Sequence, residues 1–170
     1  GATINAALFY NEYDDYKAAA DNRIRNITKA HTTGLELEAT QWLSENLEIR
    51  QSLGLMKSEI DKKDNYQSNE LTTAPPWNAS AGFTQYIGDS LTIGADVTYV
   101  GEYYSDLDNT SSKTAGNYTL LDANLDYKIG DLLISGYVKN LTDEDVVYLI
   151  SGSTAAVGQS RTFGLSATYR

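Results

Sequence analysis

The chain has 170 residues, of which 13 are basic and 23 acidic, and its formal charge of −10 gives a pI near 4.4. This acidic excess argues against nucleic acid as a partner, because phosphate binding requires clustered Lys and Arg side chains. The sequence contains no cysteine, which excludes disulfides and thiolate metal sites. No apolar run approaches the roughly 20 residues of a membrane-spanning helix, although strands of a membrane barrel need only about 9–11 residues.

Eight segments alternate apolar and polar residues with the period of a β-strand. In chain order they cover residues 2–10, 35–40, 47–55, 77–86, 91–99, 118–128, 132–140 and 162–169. In the clearest segment, Ile93 and Val97 lie on one face, while Thr92 and Asp96 lie on the other. The sequence therefore predicts an all-β fold of antiparallel strands.

Connections of two lengths separate the strands. Three are tight-turn sequences rich in residues that tolerate positive φ: Ser44-Glu45-Asn46, Gly88-Asp89-Ser90 and Gly130-Asp131. Four are long polar segments, at about residues 14–31, 60–75, 104–117 and 146–160. Within the first of them, residues 14–26 have no sustained amphipathic period, so a helix is not favoured there. Short and long connections alternate strictly, which is typical of an up-and-down outer-membrane barrel with tight turns on one rim and long loops on the other.

Aromatic residues collect at both ends of the predicted strands. Those next to the long segments are Phe9, Tyr10, Tyr13, Trp77, Tyr99, Tyr103, Tyr104 and Tyr118, and those at the opposite ends are Trp42, Tyr86, Tyr127 and Tyr169. An apolar band separates the two sets, so the pattern predicts aromatic girdles at both boundaries of a bilayer. Strand ends of a soluble β-protein also collect tyrosine, but the order of the loops favours an apolar face directed outward to lipid.

Five segments, in order along the chain, resemble those of TonB-dependent outer-membrane receptors. They are residues 8–15, 33–39 (Thr-Gly-Leu-Glu-Leu-Glu-Ala), 74–77, 138–143 (Val-Lys-Asn-Leu-Thr-Asp) and 161–170. Members of that family normally end in an aromatic residue, whereas this chain stops at Arg170, and they carry an N-terminal plug domain and further strands. The resemblance therefore implies that residues 1–170 are a C-terminal segment of a larger barrel, without the plug.

The resemblance also implies a function. The parent receptor would import a scarce nutrient, such as a ferric siderophore, into a bacterial cell. The barrel would lie in outer-membrane lipid, the ligand would bind on the extracellular loops, and the TonB complex would act through the absent plug. Two alternatives remain open: a complete small eight-stranded barrel acting as an anchor or adhesin, and an outer-membrane enzyme.

The residues offer little chemistry of their own. His31 is the only histidine, and no nucleophile motif accompanies it. Asp106 begins a segment like a calcium loop, but Ser111 stands where such a loop has Gly and Asn117 where it has Glu. We therefore predict no catalytic, cofactor-binding or metal-binding residue, and we expect ligand contacts only in the four long segments.

One pair of carboxylates requires a separate interpretation. Glu36 and Glu38 are two residues apart in a predicted strand, so they share a face. Arg50 lies on the same face of the next strand and is their predicted charge partner. A structural network on the inner wall is therefore favoured over a catalytic pair.

Overall fold

A computed structural model describes residues 1–20, 23–61 and 65–169 of the chain. Its main sheet has eight antiparallel strands in the order β1-β2-β3-β4-β5-β8-β9-β12. They are β1 (Ala2–Ala20), β2 (Arg23–Ser44), β3 (Leu47–Ile60), β4 (Trp77–Ile87), β5 (Leu91–Val100), β8 (Tyr118–Ile129), β9 (Leu132–Lys139) and β12 (Thr162–Tyr169). Two small hairpins pair β6 (Tyr103–Tyr104) with β7 (Thr114–Ala115) and β10 (Val147–Ser151) with β11 (Thr154–Val157). The all-β prediction and all eight predicted strands are confirmed.

The three tight turns lie where the sequence predicts them. They join β2 to β3, β4 to β5 and β8 to β9, so antiparallel pairing brings all three to one end of the sheet. Gly88 and Gly130 have φ values of 59° and 58°, a conformation that favours glycine in such turns. The long connections leave from the other end, and the predicted alternation of short and long connections is confirmed.

The predicted loop at residues 14–31 is wrong for most of its length. β1 continues to Ala20 and β2 begins at Arg23, so the two strands form one long hairpin that extends beyond the rest of the sheet. Two of the other long segments also contain strands, since 104–117 includes most of the β6–β7 hairpin and 146–160 includes β10 and β11. The connection from β3 to β4 contains no strand in its described residues, 61 and 65–76. No helix long and apolar enough to cross a membrane occurs in the described part of the chain.

The register separates the main sheet into two faces. Antiparallel partners lie on the same face, so rows of side chains can be followed from strand to strand. One apolar row is Ile49, Phe83, Ala95, Ala123, Val138 and Phe163, and the row beside it on the other face includes Thr40, Arg50, Gly82, Asp96 and Asp122. We call these the apolar face and the polar face.

The apolar face is not covered by other described residues. On the two outermost strands, Leu8 is 84% exposed and Leu165 is 85% exposed, and both belong to this face. Strands β4, β5 and β8 have 10–12 residues each, close to the length that a tilted barrel strand needs to cross hydrocarbon. An apolar surface of this extent requires an apolar medium, because water would leave it unstable or prone to association.

The predicted aromatic girdles are only partly correct. Tyr127 and Tyr169 lie on the apolar face at the tight-turn end, as a girdle requires. Trp42 and Tyr86 are also near that end, but their partners Glu48 and Thr92 place them on the polar face, where their rings stack at a centroid distance of 6.0 Å. At the long-loop end, Trp77 and Tyr99 stack on the apolar face at 4.2 Å.

We expect the two faces to respond differently to a charge. Ile93 lies on the apolar face near the middle of β5, and its neighbour Thr92 lies on the polar face. In a lipid bilayer, Ile93→Arg should destabilise the barrel by about 2–4 kcal/mol, because hydrocarbon does not solvate the guanidinium, and Thr92→Arg should cost less. Urea unfolding of the full-length protein in vesicles measures both values, and equal costs would contradict this assignment of the faces.

Candidate functional site

The tip of the β1–β2 hairpin turns towards the polar face at Asp15. This residue has a φ of 55°, so the regular pleat of β1 is broken there. Simple alternation would place Tyr16 and Ile27 on the face opposite to Tyr13 and Ala30. Instead, Ile27 and Ala30 are both buried in one cluster, and Tyr16 packs against it. The break therefore directs apolar side chains of the hairpin towards the neighbouring loops.

The long connections have a small hydrophobic core of their own. Its buried members are Ala18, Ile27, Ala30, Ile60, Leu71 and Leu107, and Tyr16, Tyr66 and Ala74 pack against them. These residues come from the hairpin, the end of β3, the loop before β4 and the loop after β6. Leu107 is fully buried, and burial of a leucine contributes about 1.5–3 kcal/mol. The three connections therefore pack together as one folded layer above the sheet.

Hydrogen bonds join two of these loops directly. Asn109 accepts a bond from the backbone N–H of Glu70 at 2.7 Å and donates one to the carbonyl of Glu70 at 3.1 Å. Asn69 donates to the carbonyl of Leu107 at 2.6 Å. We call these contacts the loop clasp, defined by Asn69, Glu70, Leu107 and Asn109. Because the clasp pairs backbone groups as well as side chains, it fixes the separation of the two loops.

Asp106 stabilises the turn that carries the clasp. Its carboxylate accepts the backbone N–H of Thr110 at 2.9 Å and lies 3.0 Å from the ammonium of Lys113. Burial tends to raise the pKa of Asp106, but the contacts with Thr110 and Lys113 outweigh it and lower the pKa. The folded state is therefore stabilised above the ordinary carboxyl pKa, and this stabilisation is lost as the pH falls through the lowered value.

A second set of contacts connects the β6–β7 hairpin to β10. The hydroxyl of Tyr103 donates to the carbonyl of Tyr148 at 2.9 Å, and the N–H of Ile150 donates to the hydroxyl of Ser105 at 3.0 Å. Tyr118 meets Tyr148 edge to face at a centroid distance of 6.0 Å. Burial raises the pKa of Tyr103, which keeps its hydroxyl protonated and able to donate this bond.

The turn after β9 depends on Asn140. Its φ is 51°, and its side chain donates to the carbonyls of Glu144 and Gln159 and accepts the N–H of Glu144. Its own N–H donates to the carboxylate of Asp122 at 2.9 Å. Asp143 then accepts the N–H of Arg161 at 2.7 Å. This arrangement brings the chain back to begin β12, and it explains the Asn-Leu-Thr-Asp sequence in structural terms.

The predicted pairing of Arg50 with Glu36 and Glu38 is wrong. The guanidinium of Arg50 donates to Glu48 at 2.8 Å, and it reaches Asp96 at 3.2 Å. It also donates to the hydroxyl of Thr84 at 2.8 Å. The cause is the partner of Arg50 on β4, which is Gly82. Because Gly82 has no side chain, Arg50 can cross β4 towards β5, and the Asp96 carboxylate occupies the space of the missing Cβ.

His31 has a structural partner instead of a catalytic one. Its Nδ1 lies 2.8 Å from a carboxylate oxygen of Asp61, and its ring stacks on Tyr10 at 5.7 Å. The register pairs it with Glu12 on β1 and Glu59 on β3. In the described part of the chain, no group of three or more His, Asp and Glu side chains is placed to hold a metal ion. The contacts of His31 join β2 to the end of β3.

Comparison with known proteins gives these features a family context. A family model described as TonB dependent receptor-like, beta-barrel matches residues 1–141. A ferrioxamine B receptor of Salmonella typhimurium is 26% identical over 133 residues, which cover 72% of this chain and 19% of that receptor. The chain therefore spans about a fifth of the length of the curated relatives it matches.

Solved structures show the same architecture. The ferric yersiniabactin uptake receptor of Yersinia pestis aligns with a TM-score of 0.85 and 28% identity, over 98% of this chain and 27% of that one. The siderophore receptor PiuA of Acinetobacter baumannii aligns with a TM-score of 0.80 and 19% identity, over 98% of this chain and 25% of its own. At the lower identity the likeness shows the fold alone.

We expect Asn109→Gly to open the loop clasp. The substitution removes the side-chain bonds to Glu70 while keeping a residue that accepts the φ of 52° at this position. Loss of these bonds should cost about 1–3 kcal/mol locally and increase amide exchange roughly 5- to 100-fold in residues 65–74 and 105–111. Asn117→Gly is the matched control, because Asn117 also has a positive φ but lies outside the clasp. Unchanged exchange in Asn109→Gly would show that the loops are held by other contacts.

Proposed function

The chain belongs to the TonB-dependent receptor-like β-barrel family, and from this we propose that it forms part of the wall and outer rim of a receptor that imports an iron chelate across a bacterial outer membrane. The observation that carries the proposal is the combination of an exposed apolar face with long connections gathered at a single end of the sheet. The apolar face would contact outer-membrane lipid. The packed loops would then face the cell exterior.

The names of the relatives support an iron chelate as the cargo. One relative is a ferrioxamine B receptor, and a solved structure of similar fold is a ferric yersiniabactin uptake receptor. In the proposal, residues 1–170 are a single barrel segment, and the plug and the contact with the TonB complex belong to other parts of the receptor. The iron is cargo and not a resident metal of this segment.

The proposed ligand surface is the loop layer together with the polar face beneath it. The four segments that we expect to contribute are about residues 14–31, 60–75, 104–117 and 146–160. The relatives are transport receptors, and the contacts of His31 are structural, so the proposal includes no catalytic step and no cofactor.

A small complete barrel acting as an anchor or adhesin is the second candidate. Such a barrel would have to pair β1 with β12, because lipid cannot satisfy the backbone groups of an open edge. In the described sheet these strands are the two ends of the order and do not pair with each other. This favours a larger barrel in which other strands complete both edges.

Uptake of radioactive iron tests the proposed function. We expect cells that lack their own siderophore receptors to accumulate iron from a chelate when they express the full-length receptor, and to lose that uptake when TonB is deleted. The 170-residue chain alone should give no uptake, since it contains no plug segment. TonB-independent accumulation, or uptake by the chain alone, would contradict the proposed transport mechanism.

Surface labelling tests the proposed orientation. Ser112 is an exposed residue of the long-loop end, and Asp89 is an exposed residue of a tight turn. In the full-length receptor, Ser112→Cys should react with an impermeant thiol reagent on intact cells, whereas Asp89→Cys should react only after the outer membrane is opened. The reverse pattern would place the loops in the periplasm.

A further inference from the structure

A pocket lies between the polar face and the β10–β11 hairpin. Its volume is about 290 Å³. Leu120, Tyr148 and Val157 supply apolar wall, and Lys139 and Thr162 supply polar groups from β9 and β12. Leu120 has the same alternation as Asp122, so it lies on the polar face, and the hairpin therefore folds inward over that face.

The pocket is held open by bonds outside its lining contacts. Asn140 fixes Gln159 and Glu144 through its side chain, and the N–H of Gly158 donates to the carbonyl of Val146 at 2.9 Å. Tyr103 holds the backbone of Tyr148 from the other side. A pocket whose walls are fixed in this way requires little reorganisation to bind a ligand, which favours affinity.

The charge in this pocket is unbalanced. Within the described ranges, no carboxylate lies within ion-pair distance of the Lys139 ammonium. The lining carboxylate, Asp122, accepts the backbone N–H of Asn140. Lys139 is therefore a cation without a local counter-charge, in a chain whose formal charge is −10.

We propose that this pocket binds a carboxylate-bearing arm of the imported iron chelate, with Lys139 as the counter-charge and Tyr148 and Val157 packed on the carbon skeleton. An ammonium provides three donors for a carboxylate, and the hydroxyl of Thr162 lies in the same lining. The inference rests on the proposed function and adds a ligand class to it. The competing occupant is an acidic side chain from a part of the receptor outside this chain.

Binding to the purified full-length receptor tests the assignment. The probes are iron(III) citrate, which carries carboxylates, and ferrioxamine B, which carries an ammonium group. Lys139→Gln should raise the Kd for iron(III) citrate roughly tenfold, as expected for the loss of a charged hydrogen bond, and Lys139→Arg should stay close to the wild type. Binding of ferrioxamine B should not weaken. Lys128→Gln is the matched control, since this lysine lies on the polar face at the opposite end of β8.

The outcomes separate this inference from the proposed function. The ligand assignment is overturned if Lys139→Gln and Lys128→Gln change the Kd equally, or if the wild-type receptor does not bind iron(III) citrate. TonB-dependent uptake of any other iron chelate would leave the proposed function standing in that case. A lower melting temperature of Lys139→Gln without ligand, with an unchanged Kd, would assign the lysine to an acidic group elsewhere in the receptor.

Discussion

Pairing of backbone hydrogen-bond groups is the constraint on which the rest of the structure depends. A strand in hydrocarbon has no water to bond, so each N–H and C=O must find a partner on a neighbouring strand. Antiparallel pairing through the eight strands meets this requirement inside the sheet, and it leaves β1 and β12 as edges. It also fixes the alternation of side chains, because partners across strands share a face. Membrane contact, inner wall and loop position therefore all follow from one pattern of hydrogen bonds.

The alternation explains why the strands could be predicted from sequence while parts of the loop layer could not. Period-2 patterning persists wherever one face is apolar, as in the run around Ile93, and tight turns such as Gly88–Ser90 have a local signature. The extension of β1 and β2 has no such pattern. The pleat is broken at Asp15, so that Ile27 and Ala30 reach the same cluster although they are three residues apart. Spacing of that kind, beside the charged pair Asp14-Asp15, resembles a loop.

Contacts that cross several strands were also beyond the sequence. The partner of Arg50 is determined by the absence of a side chain at Gly82, which only the register reveals. The loop clasp joins Glu70 to Asn109, and no local pattern connects two segments so far apart in the chain. Turn chemistry was more accessible, since Asn140 and Asp143 are residue types that tolerate positive φ and bond nearby backbone.

The arrangement around Asn140 separates the residues that maintain the fold from those that would contact a ligand. Its side chain makes bonds to Glu144 and Gln159, so a substitution there would release both ends of the connection between β9 and β12. Lys139 and Val157, by contrast, line the pocket with exposed side chains, and changing them leaves those bonds intact. The pocket can therefore change its charge and shape while the turn that forms it remains. This is how one barrel can serve different chelates: binding groups occupy positions that the hydrogen bonds of the fold do not require.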